Sequence, residues 1–256
     1  MSPQELLEQK LKKLFVKAFA IYGLLSDDDR VLVGLSGGKD SLFLVEMLAK
    51  RALITHPRYS VEAVHVRMEN VHYETSTDYL TDFCRELNVP LHIVSTSFDV
   101  DDADIETSSV EVRKRLRRQK SPCFLCSWNR RKMMFNLAQE LGCNKIALGH
   151  HQDDIINTAL MNLTFQGRFD TMPALLKMRK MPLSIIRPLC MMEERDIAQY
   201  AEWHGYQKQV KLCPYETDSH RNDIRQLYAM AESMNPDARH SIWNALNSEG
   251  KLVGDY

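Results

Sequence analysis

The strongest constraint on this chain is a stretch near its start, Val31-Leu32-Val33-Gly34-Leu35-Ser36-Gly37-Gly38-Lys39-Asp40-Ser41, in which an apolar, β-branched run passes through Gly-Gly into an amphipathic segment. The pattern predicts strand, loop, helix. Paired glycines let the backbone turn tightly and approach a ligand, so consecutive N–H groups and the positive end of the helix face outward. Such a cradle suits a phosphate. Ser36 and Ser41 add hydroxyls, Lys39 adds a cation, and Asp40 adds a carboxylate that beside phosphates makes most sense as a Mg²⁺ partner. The spacing departs from G-x-x-x-x-G-K-[ST], which excludes that type of loop. An ordinary helix cap would need neither Gly-Gly nor lysine.

The segments around this stretch predict an alternating α/β chain. Ser2-Pro3-Gln4-Glu5 has the form of a capping box, and Leu6, Leu7, Leu11, Phe15, Ala18, Phe19 and Tyr22 follow at helical spacing. After the first strand and its helix (about Ser41 to Leu53), strands are expected at Val61 to Val66 and Leu91 to Val94, with a helix from Thr77 to Leu87 between them. Further helices are expected from Met133 to Leu141 and from Asp153 to Phe165, a fourth strand from Lys145 to Leu148, and a last strand over Ile185 to Leu189. The stretch 167–181 reads as irregular. Helices at Glu193 to His204, His220 to Met234 and Pro236 to Leu246 complete the chain. The order implies a doubly wound parallel sheet with an N-terminal helix (1–29), an α/β body (30–190) and a small C-terminal helical extension (191–256). In such a sheet ligands sit at the carboxyl ends of the strands near the switch point, where the Ser36–Ser41 loop falls.

Composition narrows the setting. No apolar run approaches the ~20 residues of a membrane span, and the start lacks the apolar core and cleavage site of a signal peptide, so the expected location is the cytoplasm without a membrane partner. The 256 residues carry a formal net charge of -1, so a polyanion must be met by a local patch rather than by the whole surface. Arg113-Lys114-Arg115-Leu116-Arg117-Arg118-Gln119-Lys120 and Arg130-Arg131-Lys132 are the two basic clusters. A charge run is as often a solvated face as a binding surface, but these two flank a cysteine pair.

That pair, Cys123-Phe124-Leu125-Cys126, places two thiolates within one turn of backbone. Structural zinc would need Cys213 and a further ligand such as His220, a redox pair would need the start of a helix, and an iron–sulfur cluster would take Cys213 as third ligand and leave one iron open. Cys84, Cys143 and Cys190 lie in helical or strand-flanking apolar contexts and read as small buried hydrophobes. Gly149-His150-His151-Gln152-Asp153-Asp154 joins a strand to a helix start, with more acid and imidazole than a cap requires. It reads as a nucleotide or Mg²⁺ site.

Taken together these residues resemble a known family. Ser36-Gly37-Gly38-Lys39-Asp40-Ser41 is similar to the PP-loop of ATP pyrophosphatases, and Gly149 to Asp154 and Ile186-Arg187-Pro188-Leu189 match its later motifs in order. The intervening C-x-x-C with Cys213 downstream resembles the tRNA 2-thiolation enzymes of the tRNA 2-thiocytidine synthetase type, as does Gly167 through Met172-Pro173. One local departure is Glu216, where the family often has a further cysteine.

The resemblance implies an adenine nucleotide alpha hydrolase-like fold and a [4Fe-4S] cluster on Cys123, Cys126 and Cys213. It also implies ATP bound by Ser36 to Ser41 with His150, and Mg²⁺ held by Asp40 with Asp153 or Asp154. The implied partners are tRNA, tracked by Arg113, Lys114, Arg115, Arg117, Arg118, Lys120, Arg130 and Arg131, and a sulfur donor such as a cysteine desulfurase. The implied activity is sulfur transfer to C2 of an anticodon-loop cytidine, with Lys39, Asp40, Cys123 and Cys126 as catalytic residues. The related 2-thiouridine enzymes usually carry terminal zinc-binding cysteine motifs, which this chain lacks. A small-molecule PP-loop ligase or amidotransferase with zinc in the cysteine site, and a nucleotide-binding RNA module without turnover, are the two rival readings. Helix-rich ends allow a homodimer.

Overall fold

The computed structural model describes residues 1–54, 56–69, 72–73, 76–97, 122–207, 210–212 and 220–255. Its helices are α1 (Pro3–Tyr22), α2 (Lys39–Ala52), α3 (Asp78–Glu86), α4 (Pro122–Glu140), α5 (Gln152–Gln166), α6 (Glu194–Trp203), α7 (Arg221–Met234) and α8 (Ala238–Ser248). Its strands are β1 (Asp29–Gly34), β2 (Tyr59–Met68), β3 (His72–Tyr73), β4 (Leu91–Thr96), β5 (Lys145–Ala147), β6 (Leu175–Lys177), β7 (Ser184–Ile186), β8 (Lys211–Leu212) and β9 (Val253–Asp255).

The main sheet runs β4-β2-β1-β5-β7-β6-β9. β1 is central, with Val33 opposite Ala63 of β2 on one side and Ala147 of β5 on the other, both pairings parallel. The chain leaves β1 toward β2 and β4, then crosses to β5, so the carboxyl end of β1 is the switch point. Alternation along β1 separates two cores. Val31 and Val33 pack with α1, α2 and α6, whereas Leu32 joins Val64, Val66 and Ile146 under Leu137 and Ala138 of α4.

The opening helix follows its sequence signals. Ser2 Oγ accepts from the Glu5 N–H at 3.2 Å, Glu5 Oε2 accepts from the Ser2 N–H at 2.7 Å, and Gly23 closes the helix at φ 60. Leu11, Phe15, Ala18, Phe19 and Tyr22 are buried, while Leu6 stays exposed.

Two expectations are corrected. The 167–181 stretch contains β6, antiparallel to β7, and β9 joins the same edge parallel to β6, so the sheet is mostly rather than wholly parallel. Neither Leu175-Leu176-Lys177 nor Val253-Gly254-Asp255 carries a β-branched pair like the Ile185-Ile186 that marks β7. The helix expected from Met133 begins at Pro122, because its first turns expose Cys123, Phe124, Ser127 and Trp128 and thus show no apolar stripe. From the segment after residue 190, Tyr228, Trp243, Leu246 and Leu252 enter the larger core.

One buried charge ties α2 to the chain around α6. Glu46 is 6% exposed and accepts hydrogen bonds from Tyr200 at 2.8 Å, from Tyr206 and from Lys50. Burial alone would raise its pKa, but the bonds from Lys50, Tyr206 and Tyr200 outweigh burial and hold it below the ordinary value. Glu46→Ala should cost about 1–3 kcal/mol in urea denaturation near neutral pH, because two tyrosine hydroxyls lose their acceptor. Since the folded pKa lies below the unfolded one, the wild-type advantage is present above the unfolded carboxylate value and fades as pH falls through the lowered pKa. An advantage that grows on acidification would contradict this assignment.

Candidate active site

The loop after β1 is held in shape by its own hydroxyls. Ser41 Oγ accepts from the Ser36 N–H at 3.2 Å, lies 3.1 Å from Ser36 Oγ and donates to the Gly38 carbonyl at 2.9 Å. Gly37 sits at φ 82, in the left-handed region that side chains disfavour. Gly38 is the N-cap of α2 and supplies no side-chain cap bond, and its own N–H is reached by Ser36 Oγ at 3.4 Å. Beneath the loop, buried His65 donates from Nδ1 to the Leu35 carbonyl at 2.7 Å. Burial is the largest cause lowering its pKa, which favours the neutral ring. Both predicted serines therefore shape the cradle, with Ser41 buried and Ser36 exposed.

Around the cradle the charges are interleaved. Lys39 Nζ lies 3.2 Å from Asp40 Oδ2 and 3.0 Å from Glu194 Oε1. Burial works to lower the lysine pKa, yet the two carboxylates prevail and the net direction is up. Asp40 Oδ1 is buried and has no hydrogen-bond partner among the described residues. A carboxylate oxygen in that state, beside an uncapped helix end, has the chemistry of a ligand awaiting a hard cation. Asp154 caps α5 by accepting from the His151 N–H at 3.1 Å, and its pKa is raised by burial first, then by the charges of Asp40 and Glu194, with His151 opposing. A carboxylate strained by its like-charged neighbours is relieved by a cation between them.

Asp153, the alternative to Asp154, stands in a different environment. Its Oδ1 accepts from Arg239 Nη2 at 2.7 Å and its Oδ2 from the Glu194 N–H at 2.7 Å. Burial raises its pKa, but those bonds outweigh burial and the net direction is down. Both oxygens are thus engaged in joining α5 to α6 and α8. His150 is held neutral, its pKa pushed down to about 3 by burial first and then by Arg187, His151, Arg221 and Arg131. Arg187 Nε donates to His150 Nδ1 at 3.3 Å, so the ring proton resides on Nε2.

The cysteine pair lies in the first turn of α4, with Cys123 exposed and Cys126 half-buried. α4 runs opposite to the strands, and a side chain at Gly34, the last residue of β1, would meet Met134 Sδ at 3.1 Å. Cys126 stands about 12 Å further along the helix axis, at the same end of the sheet as the loop. Two thiols at that spacing fit two positions of a thiolate-bound metal centre. Cys213 and the basic run 113–120 lie outside the described residues, and among the described residues no group of three His, Cys, Asp or Glu side chains is placed to hold a metal. Cys84, Cys143 and Cys190 are buried as expected, and burial pushes the Cys190 thiol up to about 12. Arg131 is exposed and close enough to perturb His150 and Arg187. Arg130 is half-buried.

Several residues escaped the sequence. Glu194 and Arg239 sit far along the chain from the groups they engage. Trp128 is 50% exposed with Lys132 Nζ 5.3 Å from its ring. Arg221 and Arg225 border a cleft beside His150. Only the C-terminal charge pattern could have pointed to the arginines, and that pattern equally describes a solvated helix.

A family model described as the PP-loop domain matches residues 3–230. The chain belongs to the PP-loop family. Among curated PP-loop relatives, a protein of Chromohalobacter salexigens named tRNA-cytidine(32) 2-sulfurtransferase is 30% identical over 94% of this chain and 81% of its own length. A protein of the same name from Geobacter sulfurreducens is 32% identical over 94% and 90%. A solved structure, the U34-tRNA thiolase NcsA of Methanococcus maripaludis with its [4Fe-4S] cluster, superposes with a TM-score of 0.70 at 25% identity, covering 96% of this chain and 79% of that one.

The two halves of the site meet backbone to backbone. A Cβ on Gly149 would lie 3.1 Å from the Asp40 carbonyl carbon and oxygen and 3.2 Å from the Ser41 nitrogen. Gly149→Ala should therefore push the PP-loop aside and lower ATP turnover, followed by pyrophosphate release, about tenfold or more. Turnover equal to wild type would contradict the close approach.

Proposed function

We propose that this chain is an ATP-dependent iron–sulfur tRNA sulfurtransferase that replaces the C2 oxygen of cytidine 32 by sulfur, the activity carried in the names of its curated relatives. The observation that carries the reading is the convergence, at one end of the sheet, of the uncapped PP-loop helix and the cysteine turn of α4. The cluster in the similar archaeal thiolase supports the metal assignment.

The C2 oxygen of cytosine is a poor leaving group. Attack of that oxygen on the α-phosphorus of ATP forms an O–P bond and expels pyrophosphate. The loop N–H groups and Lys39 stabilise the departing charge. Asp40 with Asp154 would hold Mg²⁺, which supplies further neutralisation at the phosphates. Sulfide then adds at C2, the C2–O bond breaks, and AMP departs with the former base oxygen. A [4Fe-4S] cluster on Cys123, Cys126 and Cys213 supplies thiophilic iron for sulfur delivery. The sulfur originates from a donor such as a cysteine desulfurase in the cytoplasm; a thiol reductant cleaves the donor's persulfide S–S bond, releasing sulfide and leaving a disulfide. Arg130, Arg131 and the 113–120 run follow the RNA backbone, and a loop base reaches the site without opening a duplex.

Anaerobically purified protein given tRNA, ATP and sulfide should yield 2-thiocytidine by nucleoside mass spectrometry and should contain iron. Cys123→Ala should lose iron and thiolation together, whereas Asp40→Ala should keep iron and lose pyrophosphate release. A colourless zinc protein that releases pyrophosphate without tRNA would overturn the proposal in favour of a small-molecule PP-loop enzyme.

A further inference from the structure

A cleft of about 160 Å³ opens between α5 and α7, shares His150 and Asp154 with the loop's surroundings, and is bordered by Arg221 and Arg225. The two arginines are one helical turn apart on the same face of α7. Among the described residues neither guanidinium makes a hydrogen bond or an ion pair. His150 is neutral, and the Asp154 carboxylate already accepts from the His151 backbone. Arg225 also acts on the Glu194 carboxylate, but among the side chains that line the cleft two guanidinium groups face one engaged carboxylate, a net positive charge that attracts an anionic oxygen cluster. At the PP-loop, by contrast, one cation faces two carboxylates, since Lys39 is bonded to both Asp40 and Glu194.

The rest of the lining selects among anions. Met161, Met172 and Ile224 give the cleft an apolar side, to which a flat ring can pack. The volume lies below the roughly 300–1,000 Å³ that encloses an entire small-molecule ligand, so the space suits a single ring with its adjoining phosphate and not a second adenosine triphosphate. A nucleotide splayed out of a single-stranded RNA loop presents that combination, one flat base and one phosphodiester.

We propose that this cleft seats the target nucleotide of the RNA substrate, with Arg221 and Arg225 holding the phosphate beside it and Met161, Met172 and Ile224 supporting the base. The inference rests on the tRNA sulfurtransferase reading and adds to it the place where the substrate base docks. Arg221 and Arg225 are positioning residues here: they fix the backbone on one side of the base while the PP-loop fixes ATP on the other.

The test uses full-length protein and a double-mutant cycle between protein and RNA. Wild type, Arg221→Ala/Arg225→Ala and Arg221→Lys/Arg225→Lys are compared for binding of ATP, of substrate tRNA, and of the same tRNA with uncharged methylphosphonate linkages flanking the target cytidine. The double alanine variant should bind intact tRNA about tenfold or more weakly, with a shallower salt dependence, and ATP as wild type does. The lysine variant should recover part of the loss. Uncharged linkages should weaken wild type by a similar factor and add little to the alanine variant, the signature of a shared contact. Because neither guanidinium is bonded among the described residues, the melting temperature should not move. Additive losses, or weakened ATP binding with tRNA binding unchanged, would overturn the inference while leaving the sulfurtransferase reading intact. A wild-type protein that binds no tRNA would overturn that reading itself and this inference with it.

Discussion

Three helix amino termini meet at the carboxyl end of β1, and the site depends on how their like-signed ends are tolerated. α2 follows the PP-loop, α5 follows Gly149 to His151, and the first turn of α6 is tied to both. Each brings a partial positive charge, and each carries acid in its first turn: Asp40 on α2, Asp153 and Asp154 on α5, Glu194 and Asp196 on α6. The backbone contact of Gly149 with Asp40 and Ser41 sets the spacing between the first two. A site with this balance stabilises a polyphosphate at the N–H groups and a cation at the carboxylates in one place.

The carboxylates divide the work. Asp153, saturated by Arg239 and the Glu194 N–H, fixes the helices relative to one another. Glu194 orients Lys39 at 3.0 Å from the far side of the cleft. Asp40 and Asp154 retain unsatisfied or unfavourable charge and are the pair with something to gain from a bound ion. Arginines replace acid around His150, where buried Arg187 is bonded to the ring and exposed Arg131 and Arg221 add their charges.

Much of this was legible in the residues. The capping box of Ser2 and Glu5, the strand-to-Gly-Gly passage at Val31 to Gly38 and the acidic start of α5 each follow a local rule, and local rules are read from local sequence. What escaped depends on distance or on exposure. β6 and β9 lack a β-branched pair like Ile185-Ile186 and are defined by their pairing, β6 to β7 and β9 to β6. The first turns of α4 are helical without an inward stripe, so periodicity announces that helix only from Met133 and assigns Cys123 and Cys126 to no element. Glu194, Arg239, Arg221 and Arg225 acquire their roles only when the C-terminal third folds back over α5. Asp153 and Asp154 look equivalent in sequence, and only their partners tell them apart.

The central claim is that ATP activates the base oxygen before sulfur replaces it, and the fate of that oxygen decides the matter. tRNA carrying heavy oxygen at C2 of cytidine 32 would be thiolated by the protein with unlabelled ATP, and the released AMP and pyrophosphate weighed by mass spectrometry. The account predicts one heavy oxygen in each AMP and none in pyrophosphate. Unlabelled AMP alongside fully thiolated tRNA would contradict it.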